Sequence, residues 1–364
     1  MAPQPRPGLL DIKPYRGGIA DAPGFEAPVK LSSNENPLGS SEAARAAYCA
    51  MQGRLERYPD GSVTHLREAL AARHKLPAEQ IVCGNGSDEL LSLLGQAYLR
   101  PGDEVIHAQN GFLSYKLVAL KNGARPVAAP ETDMRIDAAA YLSRLTQRTR
   151  MVFVANPNNP TGFLLPADEM RALHAGLPGD VLLVIDGAYA EFVEDTDYDG
   201  GFSLVREHDN VVATRTFSKA YGLASLRIGW AYCPPQVCAA LARMRSPFNV
   251  NGPAQEAALA ALGDEDFLQR SIAHVTHWRQ WLREAISALG LRVYPSAGNF
   301  VLIGFDSAEQ ADAAEAYLMA RGLILRAMGG FGLPGYLRLS VGLESDNHAV
   351  VTALADFLGE QKTA

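Results

Sequence analysis

The chain has 364 residues, 48% of them hydrophobic and 20% charged, a length and composition that allow a large buried core and two domains. A net charge of −7 without an extended cationic stretch excludes a general nucleic-acid-binding protein, and no apolar run is long enough to span a membrane. The first residues lack the apolar core of a secretory signal, and the cysteines and histidines have no metal-ligand spacing, so we expect a cytoplasmic protein without a metal.

In chain order, the first 30 residues form a Pro/Gly-rich arm, and strands and helices alternate from about residue 85 to residue 234. Continuous apolar runs such as residues 151–155 are typical of strands that are covered on both faces. The predicted strands are residues 103–107, 125–129, 151–155, 181–185 and 210–214, and a helix is predicted at residues 167–175. This alternation predicts an α/β fold in which helices cover a mostly parallel sheet.

The pattern changes after residue 253, where a long helix is predicted over residues 264–289. The strands predicted after it are residues 299–304, 323–326 and 336–341, and a final amphipathic helix follows them. We therefore divide the chain into an arm at residues 1–30, a large α/β domain at residues 56–252, and a smaller α+β domain made of residues 31–55 and 253–364.

Lys219 lies in the most informative stretch, directly after the strand predicted at residues 210–214. The hydroxyl groups of Thr216 and Ser218 precede it, and Arg227 follows eight residues later. Hydroxyl groups and a guanidinium can hold the phosphate of a phosphorylated aldehyde while a lysine attacks the aldehyde carbon, as pyridoxal phosphate chemistry requires. A single lysine in a polar loop is more commonly a surface residue, but three other stretches supply the remaining parts of a pyridoxal phosphate site.

The first of these stretches runs from Gly84 to Asp88, where a short strand reaches glycines and a polar cluster begins a helix. The backbone around Gly86, Ser87 and Asp88 can approach a phosphate closely, and the N-terminus of a helix adds partial positive charge. Ser87 also suits an ordinary capping turn, so this stretch alone leaves both interpretations open.

Two further stretches lie at the carboxyl ends of predicted strands, where α/β folds bind ligands. Asn159 can donate its side-chain amide to the phenolate oxygen of a pyridoxal ring, although Asn-Pro turns are common in loops. Asp186 can pair with a protonated pyridine nitrogen, which would offset the cost of bringing a carboxylate into an apolar sheet. Tyr189 would lie near the ring oxygen. Phe112 is a candidate for stacking on the ring, although a single phenylalanine usually belongs to a core.

The order of these motifs resembles that of the fold-type I pyridoxal phosphate-dependent aminotransferases: a glycine-serine loop, a stacking aromatic residue, Asn-Pro-Thr-Gly, Asp-x-x-Tyr, Ser-Lys and an arginine. The resemblance spans nearly the whole chain, and the ordered set is far more specific than any single motif. It implies that the large domain binds pyridoxal phosphate and that Lys219 first holds the cofactor and then moves the substrate proton. Asp186 would keep the ring nitrogen protonated, and Tyr189 would tune the reactivity of the bound lysine.

Within this family the chain is most similar to the histidinol-phosphate aminotransferases. The matching pieces are Lys13-Pro14-Tyr15, Ser33-Asn34-Glu35-Asn36-Pro37, Arg57-Tyr58-Pro59-Asp60, and the stretches around Arg326 and Arg338. The similarity implies a homodimer with shared active sites, in which Tyr58 reaches the cofactor phosphate of the neighbouring subunit. Arg326 and Arg338 would hold the substrate anion. Tyr15 would close over the substrate phosphate, and Asn36 would belong to the same substrate site.

The implied reaction moves the amino group of histidinol phosphate to 2-oxoglutarate and yields imidazole acetol phosphate and glutamate, a step of histidine biosynthesis. Phe112, Gly187 and Ser225 depart from residues that are common in the family without removing a chemical role. An aromatic amino-acid aminotransferase therefore remains an alternative. A decarboxylase of a phosphorylated amino acid and a non-catalytic binding module on the same fold are more distant alternatives.

Residues 330–335 match the GxGxxG string of dinucleotide-binding loops. That motif needs a following helix whose N-terminus meets the pyrophosphate, whereas residues 336–341 alternate as in a strand. We therefore predict that this stretch does not bind a nicotinamide dinucleotide.

Overall fold

The computed structural model describes residues 3–6, 8–14 and 17–363, and for residues 362 and 363 it describes the backbone alone. The strands are β1 (Val29–Lys30), β2 (Ile81–Gly84), β3 (Glu104–Ala108), β4 (Arg125–Ala129), β5 (Thr149–Ala155), β6 (Leu182–Asp186), β7 (Val211–Thr216), β8 (Gly229–Tyr232), β9 (Arg292–Val293), β10 (Phe300–Gly304), β11 (Leu323–Ile324), β12 (Arg326–Ala327) and β13 (Tyr336–Ser340). The helices are α1 (Glu42–Ala50), α2 (Thr64–His74), α3 (Ser87–Tyr98), α4 (Leu113–Lys121), α5 (Ala138–Leu142), α6 (Ala167–Ala175), α7 (Phe202–Glu207), α8 (Pro235–Met244), α9 (Gly252–Gly263), α10 (Glu265–Ala288), α11 (Ala308–Met319) and α12 (Glu344–Thr363).

The large sheet has the strand order β2-β8-β7-β6-β5-β3-β4, in which β8 runs antiparallel to β2 and β7 while the other neighbours are parallel. Successive residues of its central strands enter two different hydrophobic clusters: Val152 and Leu183 belong to one, and Phe153 and Val184 to the other. Continuous apolar runs therefore arise because helices cover both faces of the sheet. The prediction of an α/β fold with a mostly parallel sheet is confirmed.

The observed strands lie within about two residues of the predicted ones, the usual uncertainty of an element boundary. The predicted strand at residues 210–214 continues to Thr216 because Arg215 and Thr216 pair with β8. At the centre of the sheet, Asp186 is the register partner of Ala155 on one side and of Thr214 on the other. The carboxyl ends of β5, β6 and β7 thus meet at one edge.

The C-terminal part contains a four-stranded antiparallel sheet in the order β12-β13-β10-β9 and a parallel pair of β1 with β11. The prediction of one strand at residues 323–326 is wrong, because Leu325 separates two short strands that pair with different partners. As a consequence, Arg326 on β12 becomes the register partner of Arg338 on β13.

A short 3₁₀ turn at Gly329–Phe331 occupies the GxGxxG string, and strand β13 follows at Tyr336–Ser340. The prediction that a strand rather than a helix follows this string is confirmed. No helix N-terminus is available there for a pyrophosphate.

The division into an arm and two domains remains a prediction. The large sheet lies within residues 56–252 and the four-stranded sheet within residues 253–364. The predicted arm includes β1, which pairs with β11 of the C-terminal part. This pairing holds the end of the arm beside β11, the strand that directly precedes β12 and Arg326 in the chain.

Candidate active site

A cavity of about 290 Å³ opens at the carboxyl ends of β5, β6 and β7. One side belongs to the large sheet and its loops, and the other belongs to residues 18–35 and to residues 326–338. The predicted site residues that line it are Ser87, Asp88, Phe112, Asn159, Asp186, Tyr189, Thr216, Ser218, Lys219, Arg227, Arg326 and Arg338. Segments that are distant in sequence therefore meet where α/β folds bind their ligands.

Lys219 follows β7, and its Nζ donates a hydrogen bond to the backbone oxygen of Ser33 at 3.4 Å. The same amine lies 5.6 Å from the ring centroid of Tyr189. Burial, and then the positive charge of Arg338, lowers the pKa of Lys219 to about 8. Such a lysine has a substantial neutral fraction near physiological pH, and the neutral amine is the form that attacks an aldehyde.

Asp186 ends β6 and is 4% exposed. Its Oδ2 accepts a hydrogen bond from the hydroxyl of Tyr115 at 2.9 Å, and its Oδ1 accepts one from Oγ1 of Thr214 at 3.0 Å. Burial raises the pKa of Asp186, while these two hydrogen bonds lower it. A buried carboxylate at a cavity wall whose direct partners are neutral hydroxyl groups fits a ligand that brings a cation, as a protonated pyridine nitrogen does.

The chain turns at Gly86, which has a φ of 82°, and Ser87 then begins α3. A Cβ at Gly86 would lie 2.5 Å from Nη2 of Arg227, so the absence of a side chain leaves room for this guanidinium. Gly86 therefore supports the cavity without lining it. The N-terminus of α3 and Arg227 face the same space, an arrangement that fits a phosphate group.

A linked group of polar side chains lies beside this helix terminus. The buried Thr216 hydroxyl donates to Oγ of Ser218 at 2.9 Å, and Nη1 of Arg227 donates to the same oxygen at 3.4 Å. Arg227 also lies 3.7 Å from Oδ2 of Asp88. Hydroxyl groups, a guanidinium and a helix N-terminus together form a donor set of the kind that holds a phosphate dianion.

Tyr189 and Asn159 occupy the wall between Lys219 and the arginines. The Tyr189 hydroxyl accepts a hydrogen bond from Nδ2 of Asn34 at 2.9 Å, and burial raises the pKa of Tyr189 to about 12, so the phenol stays protonated. Oδ1 of Asn159 accepts a hydrogen bond from Nη1 of Arg338 at 2.6 Å, which orients the amide group. Both side chains are held by neighbours and thus are preorganised for a ligand.

Arg338 and Arg326 lie on neighbouring antiparallel strands as direct register partners. Arg338 is 6% exposed, and its Nη2 donates to the backbone oxygen of Ser32 at 2.8 Å. Arg326 is half-buried, and its Nη1 donates to the backbone oxygen of Gly17 at 2.5 Å. The cavity therefore has two positive groups at the side where residues of the arm reach it.

Three polar contacts of the site were not predicted from the sequence. Tyr115 and Thr214 both contact Asp186, and Asn34 contacts Tyr189. Tyr115 follows the predicted stacking residue by three positions, a helical spacing that could have indicated it. Thr214 reaches Asp186 because their strands pair, and Asn34 reaches Tyr189 across 155 positions of sequence. No local sequence signal exists for either contact.

Asn36 is predicted to lie in the substrate site, but the structure does not bring it to the cavity lining. Its Nδ2 donates to the backbone oxygen of Ala220 at 2.8 Å and to Oγ of Ser271 at 2.7 Å. Both donors of the amide thus join the segment after Lys219 to α10. A polar motif near the active site can serve as such a link, and the substrate contact of Asn36 remains a prediction.

Two further residues were predicted for the site, Tyr58 and Tyr15. Tyr58 is 82% exposed and outside the cavity of the single chain, and its ring stacks on Phe248 with 4.6 Å between centroids. Tyr15 lies outside the described residues.

Within residues 3–6, 8–14 and 17–363, the structure contains no group of histidine, cysteine, aspartate and glutamate side chains that could hold a metal ion. No helix in this part of the chain is long and apolar enough to span a membrane.

A parallel sheet with a lysine, a buried aspartate and a phosphate-type donor set at its carboxyl edge defines a pyridoxal phosphate-dependent enzyme of fold type I. The family model for aminotransferases of class I and II matches residues 26–354. The chain belongs to this family, and it is a pyridoxal phosphate-dependent transaminase.

Similar proteins agree with this assignment. The chain is 54% identical to the histidinol-phosphate aminotransferase of Maricaulis maris, over 98% of this chain and 99% of that protein. It is 51% identical to the histidinol-phosphate aminotransferase of Rhodospirillum centenum over the same shares. The fold is similar to that of histidinol-phosphate aminotransferase from Sinorhizobium meliloti in complex with pyridoxal-5'-phosphate, with a TM-score of 0.91, 28% identity and 99% coverage of both chains. The predicted family, fold, cofactor and class of reaction are therefore confirmed, while the functions of single residues remain predictions.

Proposed function

We propose that this transaminase moves the amino group of histidinol phosphate to 2-oxoglutarate and yields imidazole acetol phosphate and glutamate in histidine biosynthesis. The relatives named above support this proposal, because about half of the aligned residues are identical along nearly the whole chain. The structural observation that carries the proposal is the register pairing of Arg326 with Arg338 in the cavity wall.

The two guanidinium groups give this part of the cavity wall positive charge, and a planar guanidinium forms forked hydrogen bonds with phosphates and carboxylates alike. The amino donor carries a phosphate, and the acceptor carries a second carboxylate in addition to the one beside its oxo group. One arginine pair can therefore serve both halves of the reaction in the same cavity.

Bound pyridoxal phosphate supplies an electron sink that stabilises the negative charge left when the substrate carbon loses its proton. We assign its phosphate to the backbone of Gly86, Ser87 and Asp88, to the side chains of Thr216, Ser218 and Arg227, and to Tyr58 of the partner subunit. Phe112 would stack on the ring, Asp186 would bind the ring nitrogen, and Asn159 and Tyr189 would donate hydrogen bonds to the ring oxygen. Each assigned group has the charge or hydrogen-bonding capacity that suits the cofactor atom it would hold.

Lys219 is the residue that moves the proton. With the cofactor bound, Nζ of Lys219 would accept the proton from the substrate carbon that bears the amino group and would later release it. A pKa of about 8 allows this amine both to accept and to release a proton near neutral pH.

We expect the rate at which the cofactor-free enzyme captures pyridoxal phosphate to rise with pH and to become level above about pH 8, the pKa of Lys219. The neutral amine is the attacking form, and its fraction grows as the pH rises through the pKa. Stopped-flow absorbance over a pH series measures the rate, and a model lysine amide treated in parallel corrects for titration of the aldehyde. A rate that keeps rising up to the ordinary lysine pKa of 10.5 would contradict the lowered pKa.

The substrate is tested by mixing cofactor-loaded enzyme with one amino donor at a time and following the cofactor absorbance. We expect histidinol phosphate to react far faster than phenylalanine, and glutamate to react as the donor of the reverse half-reaction. Histidinol is the matched control, because it lacks only the phosphate. A faster reaction with phenylalanine would indicate aromatic amino-acid metabolism, and release of carbon dioxide would indicate a decarboxylase.

We also propose a cytoplasmic homodimer with shared active sites. The rings of Tyr58 and Phe248 stack on each other, although Tyr58 is 82% exposed and Phe248 is 43% exposed. Leu55 and Met244 are exposed as well. Such a group of exposed apolar residues is typical of a surface that another subunit covers. The four cysteines are free thiols, which is consistent with a reducing compartment.

Mixing two inactive variants tests the shared site. A Lys219→Ala subunit and a Tyr58→Ala subunit together would form one intact site in each hybrid dimer, because each supplies the residue that the other lacks. After unfolding and joint refolding, random pairing predicts recovery of about one quarter of the normal activity. Recovery that stays at the sum of the two separate variants would contradict a contribution of Tyr58 across the interface.

A further inference from the structure

Tyr115 is a buried tyrosine at the start of α4, and its hydroxyl has a specific partner. The side chain is 1% exposed, and its ring stacks on Phe153 with 4.7 Å between centroids and 7° between planes. This packing aims the hydroxyl at Oδ2 of Asp186, to which it donates at 2.9 Å. Because burial raises the pKa of Tyr115 well above its ordinary value, the phenol stays protonated and remains a donor.

The carboxylate of Asp186 is held at both oxygens. Tyr115 binds Oδ2 from α4, and Thr214 binds Oδ1 at 3.0 Å from the neighbouring strand β7. Two donors on different oxygens fix the rotation of a carboxylate about its Cβ–Cγ bond, which one donor cannot do. The plane of the Asp186 carboxylate is therefore set by residues on two elements.

The same two hydroxyl groups act on the charge of Asp186. Burial raises the pKa of Asp186, and the hydrogen bonds from Tyr115 and Thr214 are the largest effects that lower it. Of the charged side chains around it, Asp88 raises the pKa and Arg215 lowers it. Without the two hydroxyl groups, a carboxylate in this position would hold a proton over a wider pH range.

We propose that Tyr115 is a positioning residue for transamination, and that Thr214 acts together with it. The two hydroxyl groups hold the Asp186 carboxylate in the plane and in the charge state that the pyridine nitrogen of the cofactor requires. This inference rests on the function proposed above for Asp186. Tyr115 touches neither the substrate nor the ring nitrogen in this assignment, and it acts through Asp186.

The test compares Tyr115→Phe and Thr214→Val, which each remove one hydroxyl group and keep the shape of the side chain. Tyr232→Phe is the matched control, because Tyr232 is as buried as Tyr115 and lies on β8 of the sheet that carries Asp186, but its hydroxyl does not bind the Asp186 carboxylate. One readout uses enzyme loaded with ¹⁵N-labelled cofactor, where the nitrogen chemical shift reports protonation of the ring. A second readout follows the Asp186 carboxyl carbon by NMR in the cofactor-free enzyme as the pH changes.

In Tyr115→Phe we expect the carboxyl of Asp186 to titrate at higher pH, the ring nitrogen to lose protonation, and kcat to fall about 10-fold with KM nearly unchanged. Thr214→Val should change all three readouts in the same direction, and Tyr232→Phe should change none of them. A purely structural effect would lower the unfolding temperature without moving either NMR signal, and that result would overturn the proposal.

Asp186→Asn distinguishes a failure of the function proposed for Asp186 from a failure of the function proposed for Tyr115. A loss of ring protonation in Asp186→Asn together with an unchanged signal in Tyr115→Phe would overturn the positioning function of Tyr115 and leave Asp186 in its assigned place. An unchanged nitrogen signal in Asp186→Asn would overturn the assignment of Asp186 itself, and the inference about Tyr115 with it.

Discussion

Lys219→Ala should abolish the absorbance of the lysine-bound cofactor and lower kcat by at least about 10²–10⁴-fold, the contribution that a positioned general base typically makes. Alanine has no amine to bond with the cofactor or to accept the proton from the substrate carbon. The free energy of unfolding should not fall, because the lowered pKa of Lys219 means that the fold disfavours its charge. Absorbance spectra, steady-state rates and a denaturant titration measure these three quantities.

Lys116→Ala is the matched control, since Lys116 is an exposed lysine on α4 outside the cavity. It should keep the spectrum and the turnover of the unchanged enzyme. Substantial turnover by Lys219→Ala would remove the lysine from the proposed mechanism. An equal loss in both variants would indicate damage that is unrelated to the site.

Arg338→Ala should lower kcat/KM for histidinol phosphate and for 2-oxoglutarate by about 30- to 5,000-fold, which corresponds to the about 2–5 kcal/mol lost when one partner of a buried charge pair is removed. The effect should be smaller for histidinol, which has no phosphate. Arg338→Lys should give an intermediate loss, because an ammonium keeps the charge but cannot form the forked hydrogen bonds of a guanidinium. Steady-state kinetics with the three substrates measure these differences.

Arg292→Ala provides the control for Arg338. Arg292 lies on β9 of the same four-stranded sheet, but its exposed guanidinium pairs with Asp133 away from the cavity. It should leave kcat/KM for both anionic substrates unchanged. Equal losses for histidinol and histidinol phosphate in Arg338→Ala would contradict a contact between Arg338 and the substrate anion.

The large sheet was predictable because its signals are local. Runs such as residues 151–155 and 181–185 are apolar without interruption, and the observed strands β5 and β6 match them closely. Where the partner of a strand decided its extent, the prediction was less accurate. Residues 323–326 divide between two sheets because β11 pairs with β1 and β12 pairs with β13.

The sequence by itself determined the family and the chemistry. Lys219, Asp186 and Arg227 each lie in a short contiguous motif, and the chemistry depends on residue type and on the order of the motifs along the chain. Residue type and motif order can be read directly from the amino-acid sequence, and the confirmed cofactor and reaction class follow from them.

Only the tertiary structure decided which groups hold the candidate catalytic residues in place. The contact of Tyr115 with Asp186 joins residues 71 positions apart, and the register pairing of Arg326 with Arg338 depends on how two strands align. For the same reason the sequence did not indicate that the side chain of Asn36 joins two distant segments. Strand register and hydrogen bonds between elements depend on how the whole chain packs, and the identity of neighbouring residues does not determine that packing.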